Sequence, residues 1–304
     1  MPTRIAVTGA NGFVGRHLLQ AAAAAGLQPV GVVRSEAAAG RVAGLGARPV
    51  VVPGLAAAGL AAAIEGAVAV VHLAQIGAER GGASYDAVNA GGTRALIEAA
   101  RRAGVPRVVY LSGLGVARYG QSARCTNPYF LSKLTAELEL YRSGLGVAVF
   151  RPSYVVGAGG ELIQGLVAEM ERGKVELVGD ASYRLQPIDV ADAAAAILAA
   201  AAGGRSPAVY DLVGPEPMSY RAFVGRVAAV ARAHGRGGPH RLREIGIAVA
   251  ESRARAGGYR GMLPDELDCL LCDEIADARP LEALLGRSLA PVDAAIAAAI
   301  GRGR

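Results

Sequence analysis

Near the N-terminus, the run VTGANGFVGRHL (residues 7–18) joins a β-branched strand signal to the start of a helical stretch. Its glycines, Gly9, Gly12 and Gly15, have the spacing G-x-x-G-x-x-G. In such a turn the first glycine permits a tight reversal, and the second lets the backbone approach a pyrophosphate. The third lets the helix pack close to the strand. Free N–H groups at the helix start then face the phosphates. A chain with 42 glycines produces chance triplets, so the spacing alone is weak. Its place between strand and helix favours dinucleotide binding over a plain turn.

The segments PVGVVR, ARPVVV, AVAVVHLA, PRVVYLS and GVAVFRPS repeat the strand signal, with helical stretches between most of them. Near-continuous apolar strands alternating with helices predict an α/β fold, a doubly wound parallel Rossmann sheet covered on both faces. AVYDLVG (208–214) reads as a late strand returning to that sheet. The expected division is a dinucleotide-binding domain over 1–155, completed by about 185–213. Residues 156–304 then form mainly a smaller C-terminal substrate-binding lobe. An apolar content of 52% against 19% charged residues fits a compact globular chain. No apolar run reaches ~18 residues without a charge or a glycine turn, so no transmembrane helix is expected. The first strand begins by Thr3, which leaves no room for a signal peptide, and three cysteines cannot pair evenly; both point to the cytoplasm.

The end of the second strand bears on the choice of cofactor. A carboxylate there accepts ribose hydroxyls, whereas GVVRSE offers Arg34 and Ser35, with Glu36 starting the next helix. A cation at this point favours a 2′-phosphate, hence NADP(H), with NAD(H) the alternative. Further on, NPYFLSKL (127–134) sets Tyr129 and Lys133 four positions apart, on one helix face. The chain has only two lysines among 32 cationic residues, so lysine at this position is itself a signal.

With these motifs the chain resembles the extended and atypical short-chain dehydrogenase/reductase superfamily of epimerase- and dehydratase-like proteins. The resemblance rests on TGANGFVG, VVHLA, VNAGGTRALIEAARRAGVPRVVYLS, PYFLSK and RPSYVVGAGG. VGDASYRLQPIDVADAAAAI and VYDLVGPEPMSYRAFV are similar to the atypical branch that contains the nucleotide-binding accessory subunit of respiratory complex I. The resemblance implies an NAD(P)-dependent oxidoreductase acting on a carbonyl/alcohol pair. Tyr129 would be its acid/base, and Lys133 would lower the tyrosine pKa and hold the nicotinamide ribose. Ser112 would hold the substrate oxygen, unless Gly113 occupies that register position. Gly9, Asn11, Gly12, Phe13, Gly15, Arg34, Leu73, Ala74, Lys133 and Pro152 would surround the cofactor. Gly54 stands where relatives place an adenine-contacting acid.

Two other readings stay open. One is a nucleotide-sugar epimerase or dehydratase, against which no acidic residue is evident beside Tyr129 or Ser112. The other is a non-catalytic accessory or sensor protein with structural NADP(H).

The remaining residues read as structural. His72 lies in a buried strand, and Asn89 either orients the fifth-strand loop or makes a structural hydrogen bond. Asp189 or Asp192 caps an alanine-rich helix. Cys269 and Cys272 sit one turn apart on a helix and pack against the core, with no metal site implied. Cys125, one turn before Tyr129, borders the pocket. Between Arg232 and Arg260, seven arginines face Glu244 and Glu251. Residues 241–255 are expected to form a helix with Leu242, Ile245 and Val249 on one face. Solvation explains this basic stretch best; an acidic substrate or peripheral contact with anionic lipid is the sharper alternative, and nucleic acid has no recognisable motif. A small-molecule substrate is the expected partner, and a homo-oligomer is compatible with the sequence.

Overall fold

The computed structural model describes residues 3–203 and 206–301. The first half runs β1 (Arg4–Thr8), α1 (Phe13–Ala24), β2 (Gln28–Val33), α2 (Glu36–Ala43), β3 (Arg48–Val51), α3 (Leu60–Ile64) and β4 (Ala69–His72). It continues through α4 (Gly92–Arg102), β5 (Arg107–Leu111), α5 (Pro128–Tyr141) and β6 (Gly146–Pro152). Then follow β7 (Val155–Val156), α6 (Glu161–Glu171), β8 (Lys174–Val178), β9 (Arg184–Leu185), β10 (Ile188–Asp189), α7 (Val190–Ala201) and β11 (Ala208–Leu212). The chain closes with β12 (Met218–Ser219), α8 (Tyr220–Ala233), β13 (Arg241–Ile245), α9 (Ile247–Arg255), α10 (Pro264–Leu271), α11 (Arg279–Leu285) and α12 (Val292–Gly301).

Seven strands form one parallel sheet in the order β11-β6-β5-β4-β1-β2-β3. Strand order reverses between β1 and β4, and that reversal opens a crevice at their C-terminal ends. β4 and β5 are buried along their whole length, which explains their unbroken apolar sequences. Alternate residues serve opposite faces. Val7, Val71 and Val109 pack with α1, α2 and α7, while Ala6, Val70 and Val108 pack with α3, α4 and α5. A separate core gathers α6, β8, α8, α9, α10 and α12 around Phe223, Val227 and Ile296.

The basic stretch departs from expectation. Arg241–Ile245 is a strand paired in parallel with β8, and the helix starts only at Ile247. Extended backbone at Gly246 separates the two, so Leu242 and Val249 are both exposed while Ile245 is buried. Pairing with the neighbouring strand overrode a spacing of three and four that also suits a helix. Among the described residues no helix is long and apolar enough to cross a membrane.

The start of α5 is set by local chemistry. The Asn127 side chain accepts a hydrogen bond from the Phe130 N–H at 3.0 Å, and Pro128 takes the first helical position. That cap places Tyr129 in the first turn and Lys133 one turn later. Another turn on, the carboxylate of Glu137, fully buried, accepts two hydrogen bonds from Arg151 on β6, at 3.0 and 2.6 Å. Replacing Arg151 by Met strands that charge, and urea unfolding should show a loss of about 3–5 kcal/mol. The double variant Glu137→Leu/Arg151→Met should recover most of it; equal stability of parent and single variant would contradict the pairing.

Candidate active site

Two cavities meet at the C-terminal ends of β1, β4 and β5. The smaller, about 520 Å³, is lined by Gly9, Asn11, Gly12, Arg34, Gly54, Leu73 and Ala74, among others. Its turn depends on missing side chains. Gly9 has φ +68°, and a Cβ there would lie 2.7 Å from the Leu73 and Ala74 backbone. A Cβ on Gly15 would lie 2.5 Å from the Gly9 carbonyl, so α1 closes directly onto the loop. Gly12 caps α1 without any side-chain bond. A bare helix start in a cradle that a Cβ would fill fits a dinucleotide pyrophosphate. Exposed Arg34 stands at the rim, and the space beside Gly54 is open. Phe13 and Gly15 do not line this cavity; Phe13 packs edge-on against His17.

The larger cavity, about 840 Å³, is lined by Ser112, Gly113, Tyr129, Pro152, Tyr154 and residues of α6 and α10. Ser112 is buried, and its Oγ has no hydrogen-bond partner among the described residues. It therefore caps no strand-end N–H, and both Ser112 and Gly113 face the cavity that holds Tyr129. Gly115 has a packing reason of its own, since a Cβ there would overlap the Phe130 ring, which packs against the Tyr129 ring.

Lys133 is completely buried between the cavities. Its Nζ donates to the Leu111 carbonyl at 2.6 Å and to Gln75 Oε1, and sits 4.5 Å over the Tyr110 ring. Burial lowers its pKa to about 7, opposed by the Glu137 carboxylate. Burial also raises the Tyr129 pKa, as do Cys269, Glu274 and Tyr85, while the Gln75 hydrogen bond pulls the other way. That direction is opposite to the lowering expected from Lys133, whose ammonium is turned toward Leu111 and Gln75.

A polar seam runs beneath the site. The Thr93 hydroxyl donates to the Asn89 carbonyl at 2.7 Å, so it accepts from His72 Nε2 at 3.1 Å. His72 Nδ1, 2.8 Å from Thr8 Oγ1, is then the acceptor. Burial and the Lys133 charge lower the His72 pKa to about 3, leaving a neutral core histidine. The Asn89 amide clamps Ile76 at 2.9 and 3.1 Å and reaches Ser132 at 3.0 Å. It thus orients the loop after β4, not the fifth-strand loop.

Asp189 caps α7, and Asp192 accepts from Arg287 and the Ala290 N–H, so neither aspartate belongs to a hydrolytic pair. Cys125 and Cys272 pack with their sulfurs 3.3 Å apart, and Cys269 lines the larger cavity. Among the described residues no cluster of His, Cys, Asp or Glu is arranged to hold a metal ion.

Sequence reasoning missed two residues. Gln75 lines both cavities, and Glu274 brings a buried carboxyl to the wall of the larger one, where it acts on Tyr129. The expectation that no acid stands near Tyr129 is therefore corrected. Neither residue carries a local motif that could have revealed it.

Residues 5–212 match the family described as NAD dependent epimerase/dehydratase family. The chain belongs to that family. Among curated relatives, a 4-hydroxy-2-methyl-3-oxo-4-farnesyl-3,4-dihydroquinoline-1-oxide ketoreductase of Stigmatella aurantiaca is 29% identical over 237 residues, covering 73% of this chain and 71% of that one. A 2-alkyl-3-oxoalkanoate reductase of Stenotrophomonas maltophilia is 30% identical over 260 residues, covering 76% of each. The structure of MoeE5 with UDP-glucuronic acid and NAD superposes with a TM-score of 0.77, at 23% identity over 98% of both chains. A UDP-glucuronic acid 4-epimerase of Bacillus cereus gives 0.76, at 18% identity over 99% of this chain and 98% of that one. These structural likenesses are of fold. Family and reductase relatives together make the chain an NAD(P)-dependent oxidoreductase.

Proposed function

We propose that the chain is an NADPH-dependent ketoreductase for an uncharged, largely apolar ketone. The observation that carries this reading is the wall of the larger cavity. Leu162, Leu166, Met262 and Leu270 supply apolar surface, and the charged lining is four glutamates against Arg172 and Arg260. Arg260 is already paired with Glu169. Glu266 is likewise paired with Arg80, so the wall holds no cationic surplus to receive a nucleotide-sugar diphosphate, which disfavours the epimerase and dehydratase reading. The ketoreductase and oxoalkanoate reductase among the relatives agree with reduction of a ketone.

The reduced nicotinamide, when bound, supplies the hydride that reaches the carbonyl carbon. Tyr129 gives its phenolic proton to the carbonyl oxygen, completing the alcohol. The unpartnered Ser112 hydroxyl donates a hydrogen bond to the same oxygen and stabilises the charge developing on it. Lys133 would hold the nucleotide ribose with the ammonium that now faces Gln75. Gly9, Asn11, Gly12, Leu73 and Ala74 would hold the rest of the nucleotide, with Pro152 at its nicotinamide end. Residues 156–304 would form the lobe that covers the substrate.

Tyr129→Phe removes one hydroxyl and little volume. Turnover of any ketone the parent reduces should fall roughly 10²–10⁴-fold, with NADPH affinity unchanged in calorimetry. A silent substitution would point to an accessory role for the bound nucleotide. Arg34 sets the cofactor preference in this reading. NADPH should bind about 1–3 kcal/mol more tightly than NADH, and Arg34→Ala should erase most of that gap. Equal affinities in the parent would refute the assignment.

A further inference from the structure

We propose that Glu274 is the substrate-recognising group of the larger cavity, donating a hydrogen bond to a second oxygen of an uncharged β-oxygenated ketone. The inference deepens the ketoreductase reading and rests on it for the substrate class. Glu274 is rigidly held. The Glu274 N–H donates to the Arg184 carbonyl at 2.7 Å, and its own carbonyl accepts from Ser153 Oγ at 3.0 Å. On one side Asp273 pairs with Arg184; on the other the Ala276 N–H donates to Gln186 Oε1 at 3.0 Å. Arg118 clasps both neighbours, donating to the carbonyls of Asp273 at 2.7 Å and Ile275 at 3.2 Å.

All of that bonding uses the backbone or the neighbours. The Glu274 carboxyl itself makes no hydrogen bond or ion pair among the described residues, although the residue is only 8% exposed. Its oxygens are not sealed in the packed core but open onto the cavity, where a ligand can complete them. The same wall holds Ser112 and Tyr129, which in the ketoreductase reading take the reacting oxygen. A substrate bearing a second acceptor oxygen near its ketone would reach both groups at once.

The groups around the carboxyl decide its form. Tyr129 on α5, Tyr154 after β6, Cys269 on α10 and Cys272 at its end face it, and Arg118 acts from the turn after β5. Burial raises its pKa to about 8, with Arg118 opposing. Below that value the carboxyl keeps its proton and donates; above it the carboxylate only accepts and would repel a carbonyl oxygen. Binding should therefore be strong at pH 6.5 and lost toward pH 9.5. Burial also raises the phenols of Tyr129 and Tyr154 and the thiols of Cys269 and Cys272 above that window. Lys133 does titrate near neutrality, but it is common to parent and Glu274 variants.

The test is calorimetric titration of the NADP⁺-loaded protein with ethyl 2-methylacetoacetate, an uncharged β-keto ester, at pH 6.5 and 9.5. Glu274→Gln keeps a donor at every pH, so its binding should match the parent at pH 6.5 and exceed it about tenfold at pH 9.5. Glu274→Ala should bind about tenfold more weakly than the parent at pH 6.5, while 2-hexanone, lacking the second oxygen, should not distinguish the two. Equal binding of the ester by parent and Glu274→Ala, including none by either, overturns the proposal. So does a Gln variant as pH-sensitive as the parent. Turnover is read separately with NADPH. Glu274-dependent binding without any NADPH oxidation would overturn the ketoreductase reading and leave the recognition role standing.

Discussion

The burial of one ammonium group organises this site. Lys133 lies wholly inside the protein, where moving a charge out of water costs several kcal/mol unless polar partners replace the solvent. The partners are few: the Leu111 carbonyl at the end of β5, the Gln75 amide after β4 and the face of the Tyr110 ring. Two of them come from β5 and the third from the segment after β4. Glu137, a turn further along α5, adds opposite charge and is itself neutralised by Arg151. His72 is kept neutral beside the same ammonium, so the seam beneath the cleft carries no second positive charge. The Asn127 cap, the Asn89 clamp and the register of β4 against β5 all serve to hold that one cation between two cavities.

What could be read from the chain follows the range of the interactions concerned. The first βα turn is local: its glycines are spaced by the turn itself, and a missing Cβ is visible as a letter. The parallel sheet was legible because strands buried on both faces, such as Ala69–His72 and Arg107–Leu111, need little polar alternation. The stretch 241–255 misled because pairing with β8 is a non-local fact that no spacing within the stretch records. Glu274 was illegible for the same reason. Its position depends on backbone bonds to Arg184 and Ser153, and those residues say nothing about it in sequence. Gln75 could be placed after the fourth strand, but its bridging position depends on where α5 delivers Lys133.

The two cavities divide the work between general and particular chemistry. The smaller is made of backbone and missing side chains, which suits a ligand shared across a large family. The larger is made of side chains from α6, α10 and the segment after it, elements packed around a core of their own. Its apolar surface and its lack of a cationic surplus make it unlike a diphosphate site, and they support the proposed reduction of a ketone over reversible oxidation of a sugar.

That distinction has a direct readout. With NADPH carrying deuterium at both C4 positions of the nicotinamide and ethyl 2-methylacetoacetate as the ketone, mass spectrometry of the product reports where the hydride goes. A ketoreductase delivers the label to the carbinol carbon and releases one NADP⁺ for each alcohol formed. An alcohol formed without the label, or NADPH left unoxidised by this ester and by 2-hexanone alike, would contradict the account.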